Sequence, residues 1–418
     1  MKNKLPYSKL NKNHSVFFAT FSRYVGGKRY PTNGMVDPML FFLLPRVGKL
    51  LLLDQPHVAF GDIDPIIEIF EGKKMKKRFF FSRFWYLPIY LFCKIPSGPK
   101  TRVSYKLRDF FSVLGVALTQ PDVFDIFIGL EGINALAGIL LKKLGKVKKV
   151  IYYVSDYSPV RFKNKLFNAF YLWLDRFCLL HADFTWDVSR AMQQGRFLAG
   201  LPEGRVYRVM HVPNGLFDSQ IQSLPIAKRN KQALVYMGIL ESDMGPDIAI
   251  KSLSYVHKKF PQVKLHIIGG PQEHVSLMKQ VAQQAHVEDS VIFHGFVVKF
   301  SEMAKIVKRC YIGLAPYRSF PNSKRWYGDA GKIRQYVASG LPVVTTQVPP
   351  LGRDIIAQGA GIMTNDTEKD FASAIVTLLS DEMMYRKMAK AAVKISKDNT
   401  WTNVYTKAFN DVLSSVQS

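Results

Sequence analysis

Short apolar runs alternate with amphipathic stretches of ten or more residues along most of this 418-residue chain. Runs so short and so continuously apolar suit strands buried on both faces, and the stretches between them suit helices laid over a parallel sheet. In the first half the strand-like runs fall at 15–21, 49–53, 66–70, 124–129, 150–154, 183–187 and 205–209, with helix-like segments at 106–118, 133–144 and 163–180. In the second half they fall at 233–237, 263–268, 291–293, 311–315, 341–345 and 361–364, with helices at 247–259, 273–285, 301–308, 368–380 and 382–395. A polar, aperiodic stretch at 219–232 separates the two series. The pattern predicts an α/β protein of two doubly wound, Rossmann-like domains, 1–218 and 233–399, joined by a 219–232 linker and facing a central cleft. Ligands of such sheets gather beyond the carboxyl ends of the strands.

A chain of this length exceeds one ordinary core, which agrees with two domains. Cys93, Cys178 and Cys310 are far apart and show neither metal nor disulfide spacing, as expected of reduced core thiols in a cytoplasmic protein. The first 15 residues are polar and lack an apolar leader segment, and no run of 18 apolar residues suggests a spanning helix. The formal net charge of +26 calls for an anionic partner.

Part of that charge is concentrated. Residues 72–108 contain no acid, and among them Lys73, Lys74, Lys76, Lys77, Arg78 and Arg83 adjoin Phe79, Phe80, Phe81, Phe84, Trp85 and Tyr86. Basic residues beside an aromatic stretch too short to span a bilayer fit an anionic membrane surface, contacted here through residues 73–95. The plainer alternative is a core strand and helix with a solvated basic flank. Nucleic acid is not the expected partner, because no recognition module accompanies the charge.

The most specific wording is Asp329-Ala330-Gly331-Lys332-Ile333-Arg334-Gln335-Tyr336-Val337-Ala338-Ser339-Gly340-Leu341-Pro342-Val343-Val344. It reads as a short helix over 330–339 with a C-terminal Gly, followed at once by a buried strand. A Lys in the first turn adds an ammonium to the free N–H groups and positive dipole end of the helix, which makes an anion site. An ordinary αβ unit of a parallel sheet would read similarly. The wording, however, closely resembles the donor-site helix of GT-B glycosyltransferases of family 4, the group 1 glycosyl transferases.

Further segments share the resemblance: Pro213-Asn214-Gly215 with Asp218, Tyr236-Met237-Gly238 with Met244-Gly245, residues 264–270, and Phe293-His294-Gly295-Phe296. Gly359-Ala360-Gly361-Ile362 and Thr400-Trp401 continue it, the latter opening a last helix within 400–418 that in this fold crosses back onto the first domain. The likeness is strong from about residue 122 onward and weak before it. It implies a nucleotide-sugar donor bound by the second domain, with Gly238, Phe296, Lys332, Gln335 and Tyr336 in the site. Phe296 falls where the backbone meets the base.

Departures from the family pattern are specific. The Glu-x7-Glu pair falls on Tyr327 and Gln335, and two usual diphosphate cations fall on Ile239 and Met244. Arg318, Lys324 and Arg325, just ahead of the Lys332 helix, are the expected replacements, because Arg suits a bidentate phosphate contact. Asp329 is expected to cap the helix, or else to hold Lys332.

Transfer from a nucleotide-sugar requires charge stabilisation on the leaving diphosphate and, with inversion, a base for the acceptor hydroxyl. Asp156 ends the strand at 150–154 and is the candidate base or sugar-positioning group, although Tyr157-Ser158-Pro159 is also a turn signal. Glu131 ends the neighbouring strand and either caps its helix or meets the acceptor. Gly26 and Gly27, in the loop after the first strand, resemble the family's acceptor loop. Asp62-Ile63-Asp64 sits against Pro65 and reads as a turn rather than a metal site; no metal or other cofactor is expected beyond the co-substrate. The family is of the retaining type, yet Asp156 also suits an inverting base.

Together these features predict a hexosyltransferase at the inner membrane face, acting on a lipid-linked or glycan acceptor in surface polysaccharide or glycolipid assembly. The missing carboxylates and cations motivate an alternative, a non-catalytic homologue that binds a sugar or a partner subunit. A sugar-nucleotide epimerase of the same fold fits the 330–344 wording less well.

Overall fold

The computed structural model describes residues 9–25, 28–30, 34–57, 63–93, 98–204, 207–321 and 323–414. The chain forms two compact units, Met1–Asn214 with Val404–Ser418, and Gly215–Asn403.

The first unit contains β1 (Ser15–Val25), β2 (Lys28–Tyr30), α1 (Val36–Leu43), β3 (Lys49–Pro56), β4 (Ile66–Glu71), β5 (Lys74–Phe80), α2 (Leu87–Cys93) and α3 (Gly98–Thr119). It continues through β6 (Phe124–Leu130), α4 (Glu131–Lys143), β7 (Val147–Val154), α5 (Lys165–His181), β8 (Phe184–Asp187), α6 (Ala191–Leu198) and β9 (Val209–His211). The sheet runs β5-β4-β3-β1-β6-β7-β8-β9, with β2 paired to β1.

Its middle strands carry Phe17, Phe18, Leu51, Leu52, Phe127, Ile128, Ile151 and Tyr153, all fully buried, as strands covered on both faces require. The sheet is mixed rather than wholly parallel. β4 and β5 are antiparallel additions at one edge, and β2 folds back on β1. β5 (KMKKRFF) is exposed along its whole length, which explains why no buried-strand pattern marks it.

A buried ion cluster ties this unit together. Arg196 of α6 reaches Asp175 of α5 (2.8 Å) and Asp187 of β8 (2.5 Å), and the Tyr152 hydroxyl of β7 donates to Asp175 at 2.8 Å. The last helix, α14 (Trp401–Ser414 once the second unit's helices are counted), returns to this unit as expected. Tyr405 and Phe409 pack on Phe42, Phe409 packs edge-on against Trp186, and Lys149 donates to the Val412 carbonyl at 2.7 Å.

The second unit has six parallel strands: β10 (Ala233–Met237), β11 (Lys264–Ile268), β12 (Val291–Gly295), β13 (Ile312–Ala315), β14 (Val343–Thr346) and β15 (Gly361–Thr364). Among the described residues seven α-helices accompany them: α7 (Pro246–Val256), α8 (Gln272–Gln284), α9 (Phe300–Val307), α10 (Gly331–Ala338), α11 (Pro350–Ala357), α12 (Glu368–Ser380) and α13 (Glu382–Asp398). The order β12-β11-β10-β13-β14-β15 reverses direction between β10 and β13. A ligand crevice is expected at that switch point, outside the carboxyl ends of β10 and β13. Within 219–232 the backbone makes short turns, and buried Arg229 donates to the carbonyls of Leu224 and Gly340 and to the Tyr385 hydroxyl.

Candidate functional site

In the second unit Gly238, Gly245 and Lys332 lie together at the β10–β13 switch point. Gly238 follows β10 with φ +132°, a backbone conformation closed to most side chains, and a Cβ there would lie 3.1 Å from the Lys332 Cε. Gly245, with φ +63°, passes so close to the Pro316 carbonyl that no side chain fits. Backbone and Lys332 side chain are therefore packed together at the end of β10.

Lys332 lies in the first turn of α10 and is only 6% exposed. Its Nζ has no hydrogen-bond partner and sits over the rings of Tyr236 (4.0 Å) and Tyr317 (4.8 Å). Burial pushes the ammonium well below the ordinary lysine range; nearby Arg325 pushes the same way and Asp243 opposes them. One turn further on, Gln335 is equally buried and its Nε2 also lacks a partner. Residues three apart share a helix face. Two orphaned nitrogen donors on one face match a ligand rich in oxygen acceptors, and a buried donor left unpaired costs about 1–3 kcal/mol.

The basic loop behaves differently from expectation. Arg318 pairs with Asp247, and Arg325 pairs with Asp243 (2.9 Å) and approaches Glu241 (3.6 Å). Both guanidinium groups are thus neutralised within the protein, by carboxylates 71 and 82 residues away in sequence. Lys324 is exposed on a short turn beside them.

Asp329 does not cap α10. The N-cap position is Ala330, which makes no side-chain bond, and the Asp329 carboxylate pairs with Arg334 rather than Lys332. Tyr336 is also corrected. It is fully buried, its hydroxyl accepts from the Met237 N–H (2.8 Å) and donates to the Leu314 carbonyl (3.0 Å), and its ring covers Gly313. It pins β10 to β13 and presents no surface to a ligand. Phe296, by contrast, is 78% exposed just after β12. Of the two positions standing where the family has diphosphate cations, Ile239 is exposed and Met244 is buried.

In the first unit, Glu131 and Asp156 sit at the carboxyl ends of the paired strands β6 and β7. Glu131 holds φ +66°, a left-handed conformation that costs a residue with a Cβ roughly 1–2 kcal/mol. Its carboxylate accepts from the Ser155 N–H (3.2 Å) and from the Ser155 hydroxyl. Burial raises its pKa, against the lowering effect of Arg161. The Asp156 carboxylate, 38% exposed, pairs with Arg161 at 2.7 Å. The strained backbone of Glu131 thus lies at a strand end beside a second carboxylate and an Arg.

Gly26 and Gly27 lie outside the described residues. The adjoining β1–β2 hairpin is anchored where Arg29 meets Asp54 (2.6 Å) and Glu68 (2.5 Å). Asp62 also lies outside, while Asp64 is occupied by Arg83 and the Tyr86 hydroxyl. Among the described residues no group of three His, Cys, Asp or Glu side chains is arranged to hold a metal ion. Sequence reasoning did not find the aromatic cage of Tyr236 and Tyr317, nor Asp243; the strain at Glu131 leaves no mark in its residue type.

Residues 231–381, most of the second unit, match the family model of glycosyl transferases group 1. No curated protein matches the chain. Solved structures share its fold end to end. Anabaena HepE in complex with UDP is 16% identical with a TM-score of 0.64, over 96% of this chain and 100% of that one. Sucrose-phosphate synthase from Thermosynechococcus elongatus is 13% identical at 0.64, over 96% and 98%. The lipopolysaccharide outer core galactosyltransferase WaaB is 14% identical at 0.62, over 96% and 99%. The chain has the GT-B fold, two Rossmann-like α/β units, and its second unit carries the group 1 glycosyltransferase signature.

Proposed function

We propose that this protein is a glycosyltransferase that moves a hexose or related sugar from a nucleotide-sugar to a lipid-linked or glycan acceptor at the cytoplasmic face of a membrane. The observation carrying this reading is the pair of buried, unpartnered donors, Lys332 Nζ and Gln335 Nε2, at the switch point of a unit matching group 1 glycosyltransferases. The complexes of HepE with UDP and with UDP-glucose support a nucleotide-sugar as the ligand class.

In this reading the donor's diphosphate takes the hydrogen bonds that Lys332 lacks, and its charge holds the amine protonated as negative charge grows on the leaving group. Gln335 donates to a sugar or ribose hydroxyl, and exposed Phe296 lies against the base. Lys324 adds a positive charge at the rim. Glu131 is the first unit's proton-accepting or sugar-orienting group, with Asp156 and Arg161 beside it. Asp156 is the candidate that the sequence offers, but the strained, desolvated Glu131 has the stronger claim. No metal enters this scheme; the ammonium supplies the countercharge.

The ion pairs of Arg318 and Arg325 favour one competing reading, a homologue that binds a sugar without transferring it, since they leave fewer cations for a diphosphate. A thermal-shift screen against UDP-, GDP-, ADP- and dTDP-sugars, with and without Mg²⁺, tests the donor binding that the transferase requires. Ligand that binds the native state raises its stability by mass action. The transferase predicts a metal-independent shift for one nucleotide; no shift with any of them overturns it.

Residues 73–95, of which 94 and 95 lie outside the described residues, are the stretch that the sequence suggests as the membrane contact of this enzyme. Phe80 and Phe84 there are 69% and 82% exposed among Lys74, Lys76, Lys77 and Arg78. Among the described residues no helix is long and apolar enough to cross a membrane.

A further inference from the structure

The helix α5 is apolar on its outer side as well as its inner one, unlike an ordinary soluble surface helix. Leu174, Asp175, Cys178 and Leu179 face the unit's interior. The opposite side exposes Leu166 (82%), Phe170 (52%) and Trp173 (52%). Leu166, Phe170, Trp173 and Phe177 recur at helical spacing, and the last three rings form a ladder with centroids 5.7 and 5.6 Å apart. Scattered exposed apolar residues are ordinary, whereas a continuous aromatic stripe marks a contact surface.

The surrounding charge selects the partner. From 160 to 181 the only acid is Asp175, and it is buried against Arg196. The exposed polar residues include Lys163, Lys165 and Arg176. An apolar face with Trp and Phe, bordered by cations and free of exposed carboxylates, is the composition of a helix that rests in an anionic lipid interface.

Position links this face to the chemistry. The Asn168 side chain accepts from the N–H groups of Arg161 and Phe162 and donates to the Pro159 carbonyl. The loop carrying Asp156 and Arg161 is thereby fastened to the first turns of α5, where the stripe begins. We propose that the exposed face of α5 seats an anionic lipid surface, so that an acceptor headgroup rising from that surface meets the Glu131–Asp156 end of β6 and β7. This inference rests on the lipid-acceptor reading above and moves its docking surface. The β5 patch lies at the far edge of the sheet, six strands from β8 on which α5 packs, or roughly 29 Å at ~4.8 Å per strand.

The test compares the full-length protein with Phe170→Ser/Trp173→Ser and Lys76→Ser/Lys77→Ser variants. Each is sedimented with phosphatidylcholine vesicles with and without phosphatidylglycerol. The altered side chains are exposed, and an unchanged melting temperature confirms folding. The proposal predicts binding that requires phosphatidylglycerol and falls on the order of tenfold or more in the α5 variant, with a smaller loss in the β5 variant. Unchanged binding of the α5 variant overturns it; loss confined to the β5 variant then leaves the lipid reading standing on the other patch. No binding by the unaltered protein overturns both surfaces. Light scattering that finds a lipid-free dimer, dissolved by the α5 changes, assigns the face to a second copy and also overturns it. Nucleotide-sugar thermal shifts, which the α5 changes leave intact, report separately on the transferase reading.

Discussion

Replacing Lys332 with Met separates a functional lysine from a structural one, because the two roles predict effects of opposite sign. The Nζ is buried and unpartnered, which costs about 1–3 kcal/mol in the free protein. The faces of Tyr236 and Tyr317, at 4.0 and 4.8 Å, return about 0.5–2 kcal/mol while the group is charged. Met fills nearly the same volume without the polar atom, and its thioether keeps about 0.3–1.5 kcal/mol of the contact with the rings. Lys332→Met is therefore expected to range from unchanged to about 2 kcal/mol more stable. In the donor complex the same substitution removes a charge-assisted hydrogen bond to phosphate, about 1.5–3 kcal/mol, or roughly 10- to 150-fold in affinity. Urea denaturation measures the first effect and calorimetric titration with the nucleotide identified by thermal shift measures the second. A variant that is clearly less stable, yet binds donor as well as the unaltered protein, refutes the reasoning.

The depressed Lys332 pKa has a further consequence: where the free amine is neutral, donor binding takes up a proton, so the calorimetric heat should depend on the buffer's ionisation enthalpy. Between its lowered value and the ordinary 10.5, the folded protein binds fewer protons at Lys332 than the unfolded chain, so this group's contribution to stability improves as pH rises; Lys332→Met should flatten that part of the curve. Glu131→Gln is expected to lower turnover about 10²- to 10⁴-fold while melting changes little, and equal turnover would remove Glu131 from the site. Because burial raises the Glu131 pKa above 4.5, this carboxyl favours the folded state at low pH and loses that contribution as pH rises through the raised value, while activity that needs the carboxylate rises over the same window. Arg196→Met leaves Asp175 and Asp187 buried without their cation, and should cost about 3–5 kcal/mol in urea denaturation.

The second unit was the more legible half. Its strands are short apolar runs and its donor helix carries a distinctive wording, so 330–339 marked Gly331–Ala338 and the strand after it closely. Where reading failed, the cause was tertiary. Tyr336 looks like a ligand contact in a string of letters, but its hydroxyl bridges Met237 and Leu314, an arrangement set by strands 99 and 22 residues away. Arg318 and Arg325 look like phosphate cations until Asp247 and Asp243 are brought beside them by the β10 loop. β5 escaped notice because an edge strand exposed on both faces has no burial pattern to display. Glu131 was visible as a strand-end acid, but its left-handed backbone was not, since nothing in a Glu predicts φ +66°.

The most direct test of the central claim is the release of nucleoside diphosphate. The purified protein is incubated with the nucleotide-sugar selected by thermal shift, with and without a membrane-lipid extract as acceptor. The account predicts diphosphate release that requires the acceptor and is lost in both Lys332→Met and Glu131→Gln, with sugar recovered on lipid. Donor that binds tightly and is never turned over with any acceptor fraction would contradict it, and would leave a sugar-nucleotide-binding protein in place of the enzyme.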